Sequence, residues 1–290
     1  MNENTVPTAK KEYRVLFTSD THYLSGENLP NIHHWGGRIS CDDRAQQWVD
    51  AVLEEHRRRP FDMILYLGDY SLDWWGDQGT WQKEGFSDAA KFFEKYMSQL
   101  PGDVPVYIMA GNHECYTDAQ WKALSGYSRQ GVITLGDNVF IMLDAFGGPG
   151  LGDVTTEVGY SVPDLDYAKE QMEKYSGYNV YLCGHRLYED AFADLIAEND
   201  RIRAVIYGDT HRTIAWPATF GGNTVAVAEV GQFSYPGINE VLHGWNWGFR
   251  ELLITEDSAV SNYIIARHRY EENGEIKYAG RKVTNSIKIY

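Results

Sequence analysis

Five short motifs rich in metal-ligating side chains each close an apolar run of the sequence. The central one is Gly111-Asn112-His113-Glu114, directly after the β-branched and aromatic run 104–110. It sets a neutral amide oxygen beside an imidazole, with a carboxylate next in line that can hold the imidazole in place. Upstream, Asp20-Thr21-His22 ends the run 13–18 and Gly68-Asp69 ends the run 63–67. Downstream, Gly184-His185 ends the run 179–183 and Gly208-Asp209-Thr210-His211 ends the run 202–207. Asp20 and His22 are two residues apart, as are Asp209 and His211, so on extended backbone each pair points to one side. Gly68 lets the backbone pass close to a ligand, with the Asp69 carboxylate following at once. Each motif is weak alone, because Asp-x-His is short and a strand-end Asp is often a helix cap. Five in succession point to a shared metal site, since open α/β sheets gather their sites at the carboxyl ends of strands.

The intervening sequence supplies the elements that must position these residues. The runs are short, rich in Val, Ile, Leu and Tyr, and bounded by Gly or Pro, which reads as buried strands. Helical stripes are expected over 42–56, 88–100, 164–175 and 189–199. Runs 132–135 and 139–143 flank Gly136-Asp137-Asn138, which predicts a hairpin with a three-residue loop. From residue 223 the texture changes to strands, over 224–230, 249–255 and 262–269. Residues 23–41 form a long loop carrying His33 and His34, whose plain reading is solvent-exposed histidines. Gly147-Gly148-Pro149-Gly150 lacks the lysine and helix of a phosphate-binding loop. With no linker, repeat or low-complexity stretch, residues 1–290 read as a single domain, and residues 1–11 as a flexible tail.

Composition excludes several classes. At 43% hydrophobic and 23% charged, the 290 residues have the balance of a soluble globular protein. No apolar run approaches the roughly 20 residues that span a bilayer, and the polar start lacks the apolar core of a secretory signal. Three cysteines without paired spacing (Cys41, Cys115, Cys183) suit reduced thiols, so a cytoplasmic location is expected. A net charge of −15 disfavours nucleic acid as the partner. Arg57-Arg58-Arg59 closes a predicted helix, where cations suit the macrodipole.

In their order and spacing the motifs resemble the calcineurin-like metallophosphoesterase family. Its signature is Asp-x-His, Gly-Asp, Gly-Asn-His-(Asp/Glu), a lone His, then Gly-His-x-His. The matching positions run from Asp20 to His211, with one departure: Asp209 stands where the last motif has its first His. The resemblance implies an α/β fold, a four-layer α/β/β/α sandwich with two mixed β-sheets, in which residues 223–290 complete the second sheet. It also implies two divalent ions. Asp20, His22, Asp69 and His211 would hold one; Asp69, Asn112, His185 and Asp209 the other, with Asp69 bridging. A donor set of imidazole, carboxylate and amide oxygen suits Mn, Fe or Zn. The implied reaction is hydrolysis of a phosphomonoester, phosphodiester or nucleotide by a hydroxide shared between the ions. His113 would stabilise the transition state or protonate the leaving oxygen, Glu114 would orient its ring, and Arg186 is a candidate phosphate contact. Purple acid phosphatases differ at the positions of His22 and Leu72, which sets that relative aside.

Asp209 is expected to serve as a ligand. Its oxygen lies as many bonds from Cβ as the near ring nitrogen of His, while the swap adds a charge and a harder donor that favour Mn or Fe(II) over Zn. The expected partner is a phosphorylated small molecule, with no membrane. Tyr23, Trp74, Trp75, Tyr116, Trp245 and Trp247 are candidates for stacking on it. The alternatives are a non-catalytic interaction scaffold on the same fold and a nuclease, which the acidity disfavours.

Overall fold

Residues 63–67 read Met-Ile-Leu-Tyr-Leu, and all five are buried. A strand covered on both faces has no polar side to present, and continuous apolar runs of this kind make interior parallel strands. The computed structural model describes residues 5–6, 12–23, 25, 42–71, 88–114, 116–145, 163–233, 246–273 and 275–290. Its strands begin with β1 (Thr5–Val6), β2 (Glu12–Thr18), β3 (Met63–Leu67), β4 (Val106–Met109), β5 (Gly131–Leu135), β6 (Asn138–Met142) and β7 (Asn179–Gly184). They continue with β8 (Ile202–Tyr207), β9 (Ala215–Phe220), β10 (Asn223–Glu229), β11 (Asn246–Thr255), β12 (Ala259–Glu272), β13 (Glu275–Ala279) and β14 (Lys282–Lys288). The helices are α1 (Asp42–Arg58), α2 (Asp88–Lys95), α3 (Asp118–Ser125), α4 (Leu165–Lys174) and α5 (Ala193–Glu198).

Two mixed sheets result. One runs β1-β5-β6-β7-β8-β10-β9; the other runs β13-β12-β11-β2-β3-β4, with β14 also on β12. Phe17, Leu65 and Met109 of the second sheet meet Phe140, Tyr181 and Ile206 of the first in the central core. On the outer face of the second sheet, Leu16, Ile64 and Ile108 pack with Trp48 and Val52 of α1, Phe92 of α2 and Trp121 of α3. On the outer face of the first, Val139, Leu182 and Val205 pack with Met172 of α4 and Ile196 of α5. Each such side chain contributes about 1.5–3 kcal/mol on burial. The four-layer α/β/β/α arrangement is the one the resemblance implies. β2, β3 and β4 are mutually parallel, as are β7 and β8, so all five motifs lie at carboxyl ends of strands.

Several elements depart from the sequence expectations for local reasons. The helix expected over 88–100 ends at Lys95, and a 3-10 turn Met97–Gln99 follows. Ser98 Oγ and Gln99 Nε2 donate to the carbonyls of Glu94 and Lys95, satisfying carbonyls near the helix end, and Pro101 drives Leu100 to extended backbone. The 189–199 segment likewise divides into a 3-10 turn Glu189–Phe192 and α5. The hairpin loop has two residues, because Asn138 pairs with Leu135, and Gly136 supplies the left-handed φ of 58°. α3 was not anticipated, although its capping box between Thr117 and Gln120 stands in the sequence. β9 carries Pro217, which the sheet tolerates because β9 is an edge strand.

Two expectations about the ends are corrected. Residues 223–290 do not all complete the second sheet: β10 joins the first, parallel to β8, and β11 to β14 join the second. Within the expected tail, Thr5 and Val6 pair with Thr134 and Leu135 of β5. His33, His34, Cys41, Trp74, Trp75, Cys115, Gly147 to Gly150 and Trp245 lie outside the described residues.

Candidate metal centre

Asp20, His22, Asp69, Asp209 and His211 all have left-handed backbone, with φ of 55°, 45°, 54°, 61° and 60°. This corrects the reading that Asp20/His22 and Asp209/His211 share a side through extended backbone. The chain leaves each strand in a tight left-handed turn, and alternate residues face inward for that reason. Such conformations cost about 1–3 kcal/mol each for non-glycine residues and collect at functional sites. The turns are pinned to one another: Asp20 N–H donates to Gly68 O at 3.1 Å, His22 N–H to Asp69 O at 3.0 Å, and Gly208 N–H to His185 O at 2.8 Å.

Asp20 and Asp69 are each fixed through one oxygen and present the other. Asp20 Oδ2 accepts from Ser19 Oγ and from Asp209 N–H, leaving Oδ1 at 3.3 Å from His211 Nε2 and 3.4 Å from His22 Nε2. Asp69 Oδ1 accepts His113 N–H at 3.0 Å, leaving Oδ2 at 3.7 Å from His22 Nε2 and 3.1 Å from His185 Nε2. Asp69 therefore faces both halves of the site with one oxygen. Burial opposes ionisation of both groups, but His211 beside Asp20 and His185 and His113 beside Asp69 hold both well below the usual carboxylate range. Burial lowers His22 to about 4, against the pull of Asp20, so its ring is neutral and able to ligate.

His185 is oriented by the opposite strand end. Its Nδ1 lies 2.6 Å from Leu67 O, so Nδ1 carries the hydrogen and Nε2 turns inward. The amide atom of Asn112 that faces inward, placed as oxygen, is 3.0 Å from His185 Nε2, 3.1 Å from Asp69 Oδ2 and 3.2 Å from Asp209 Oδ1. Without a cation that position would favour the amide nitrogen, whose two hydrogens can be donated to two of the three. With the oxygen inward and His185 Nε2 deprotonated, four acceptors meet there, a donor set that a divalent ion would satisfy. Nε2 of His22 and Nε2 of His211 lie 3.0 Å apart beside Asp20, so with both rings offering lone pairs one ion is within reach of all three side chains. Asp20, His22 and His211 form one group able to hold an ion; Asp20, Asp69 and His185 form another. The donors fit Mn, Fe or Zn, with no thiolate among them.

His113 sits at the rim of this cluster, Nε2 at 3.8 Å from Asp69 Oδ2 and its ring centroid 5.0 Å from that of His22. Glu114 does not orient it. The Glu114 carboxylate accepts the N–H of Asp69 and of Gly111 at 2.8 Å on one oxygen, and Ser71 N–H and Oγ at 3.0 and 3.2 Å on the other. Burial and the Asp69 charge push Glu114 up to about 8, while these donors favour its ionised form. It welds the Asp69 turn to the Asn112 turn.

The weld needs two close backbones. A Cβ on Gly111 would meet Asp69 Oδ1 at 2.1 Å and Asp69 N at 2.6 Å. Gly111→Ala is therefore expected to displace the Asp69 carboxylate and lower metal content while costing about 1–3 kcal/mol of stability. Metal counting and a melt on one preparation check this; unchanged metal content would show that the turn yields without moving Asp69.

Two arginines that sequence reasoning missed hold these turns from behind. Arg129 is buried, forms a two-pronged pair with Asp144 at 2.6 and 3.2 Å, and donates to Glu114 O and Tyr116 O. It thus ties the end of β6 to the Asn112 turn. Arg250, also buried, donates to Glu229 O and Thr213 O at 2.8 Å, fixing the segment that follows His211. A lone Arg in a loop or strand carries no local signal of such a role. Arg186, the candidate phosphate contact, is engaged at Asp209: its Nε lies 3.1 Å from Asp209 Oδ2 and 2.9 Å from Tyr188 Oη. Of the aromatic candidates, Tyr23 and Trp247 are buried, which removes them as stacking surfaces, while Tyr116 packs against the same core and stays partly exposed.

The structure aligns with several solved proteins at low identity. GAP50, described as the anchor in the inner membrane complex of Plasmodium, aligns with a TM-score of 0.52 at 11% identity over 95% of this chain and 90% of its own. Vacuolar protein sorting 29 from Cryptosporidium parvum aligns at 0.40 and 9% identity, over 95% and 99% of the two chains. Sulfate thiohydrolase SoxB of Thermus thermophilus aligns at 0.45 and 12% identity, over 96% and 57%. No curated protein matches the sequence. The family model for calcineurin-like phosphoesterases matches residues 13–213, from β2 through the turn of His211. The chain belongs to the calcineurin-like phosphoesterase family.

Proposed function

We propose that this protein hydrolyses a phosphoester of a small molecule with two divalent ions, one held by Asp20, His22, Asp69 and His211, the other by Asp69, Asn112, His185 and Asp209. The observation that carries the reading is the convergence of Asn112, Asp69, Asp209 and His185 on one point, with Asp69 Oδ2 also facing His22. Bound divalent ions supply Lewis acidity, lowering the pKa of water and offsetting phosphoryl charge. The chain's own residues do the rest. The welded turns fix the ligands before substrate arrives, so little reorganisation is needed at the reacting centre. His113, at the rim and within reach of the cluster, delivers a proton to the leaving oxygen.

A net charge of −15 supports a small anionic substrate over nucleic acid. Among the described residues no helix is long and apolar enough to cross a membrane; a cytoplasmic setting is part of this proposal and rests on the unpaired cysteine pattern. The second reading, a scaffold, is favoured by the description of GAP50 as an anchor. Elemental analysis of purified protein, with hydrolysis of p-nitrophenyl phosphate, bis-p-nitrophenyl phosphate and a nucleotide panel in Mn, separates the two. Two ions per chain and chelator-sensitive turnover are expected. Metal-free protein without turnover on any ester would leave the scaffold reading in place.

A further inference from the structure

Asp209 offers its two oxygens in two directions. Oδ1 faces His185 Nε2 at 3.8 Å and the inward amide atom of Asn112 at 3.2 Å, while Oδ2 pairs with Arg186 Nε at 3.1 Å. The carboxylate is largely buried, its side chain 15% exposed, and Asp69 already brings a negative charge to the same point. A second carboxylate there is costly unless a cation offsets it. Arg186 is the side chain placed to do so. It is held in position, because the same Nε contacts Tyr188 Oη at 2.9 Å and the guanidinium carbon lies 5.5 Å from the Tyr188 ring centroid. The left-handed backbone of Asp209 and its N–H bond to Asp20 Oδ2 fix the main chain from which the carboxylate projects.

We infer that Arg186 and Asp209 act as one unit at the second ion position, the carboxylate ligating through Oδ1 while the Arg186 guanidinium beside Oδ2 cancels its charge. The pair together carries the charge of a neutral imidazole, so the position keeps the charge balance of a histidine-bearing one despite the aspartate. Arg186 is thus a charge-balancing residue that lowers the ion affinity of this position without itself holding the ion. This rests on the two-ion reading above.

The two side chains then have opposite electrostatic effects on the ion, which a merely structural contact would not produce. Metal-stripped full-length protein should be titrated calorimetrically with MnCl2. Wild type is expected to bind two ions, and Asp209→Asn, which keeps an oxygen donor but loses the charge, to weaken one of them about tenfold. Arg186→Gln is expected to tighten that same site about tenfold, since a repelling cation is gone. The double variant should return to within about threefold of wild type. Arg186→Gln that weakens the site or leaves it unchanged would overturn the inference, as would a double variant weaker than Asp209→Asn alone. An Asp209→Asn variant with two unchanged sites would remove Asp209 from the ligand set and the inference with it. Wild type that binds fewer than two ions would overturn the two-ion reading first, and the pair's role along with it.

Discussion

Asp69→Asn is expected to abolish phosphoester hydrolysis and to strip both ions. The substitution is isosteric: an amide oxygen can still accept the His113 N–H that Asp69 Oδ1 accepts at 3.0 Å, so the turn has no reason to open. What is lost is the charge on Oδ2, the one oxygen that faces both His22 and His185. An ion pair of this kind contributes several kcal/mol of transition-state stabilisation, so kcat/KM should fall about 10³-fold or more. The thermal response provides an independent readout. A metal bound to the folded state raises Tm by mass action, so MnCl2 should raise the Tm of wild type and leave that of Asp69→Asn in place. Turnover near wild type, or an unchanged Mn-induced shift, would take the bridging role away from Asp69.

His113→Asn separates chemistry from binding. Its ring sits at the rim, 3.8 Å from Asp69 Oδ2, while its backbone N–H secures Asp69 Oδ1 whatever the side chain. Loss of the imidazole should therefore leave two ions and lower kcat about 10²-fold or more, the contribution of a positioned general acid. The loss should be smallest for esters with acidic leaving groups such as p-nitrophenol, which depart without a proton. His22, Asp69 and His113 also lie close enough to form a ligand group. A variant that loses an ion together with its activity would make His113 a ligand; a variant with full kcat toward alkyl esters would remove it from the chemistry.

The residues that gather at the candidate metal centre were legible in the sequence. Buried parallel strands must be apolar throughout, so runs such as 63–67 announce themselves, and a sheet of such strands brings their carboxyl ends together. Asp or His after each run is then enough to gather Asp20, Asp69, Asn112, His185 and His211, and the order of the motifs identifies the family. The helix with Ala45, Trp48, Val49 and Val52 on one face was legible for the same reason: a stripe at helical period has one face to bury.

How those residues face inward was decided by the tertiary structure. The period-two argument put Asp20 and His22 on one side of an extended strand, whereas left-handed turns do so, held by their N–H bonds to the carbonyls of Gly68 and Asp69 that no local pattern encodes. Glu114 follows His113 by one residue, yet its carboxylate is satisfied by the N–H groups of Asp69 and Ser71, more than 40 positions away. Arg129 with Asp144, and Arg250 with Glu229 and Thr213, are links between distant segments of the same nature. The pairing of Arg186 with Asp209 belongs with them: sequence showed an aspartate where the family motif has histidine, and only packing two strand ends side by side supplied the cation that accompanies it. Local sequence carries the hydrophobic period and the donor atoms. Hydrogen bonds and ion pairs across the sheets depend on which strand ends become neighbours, which is a property of the folded chain.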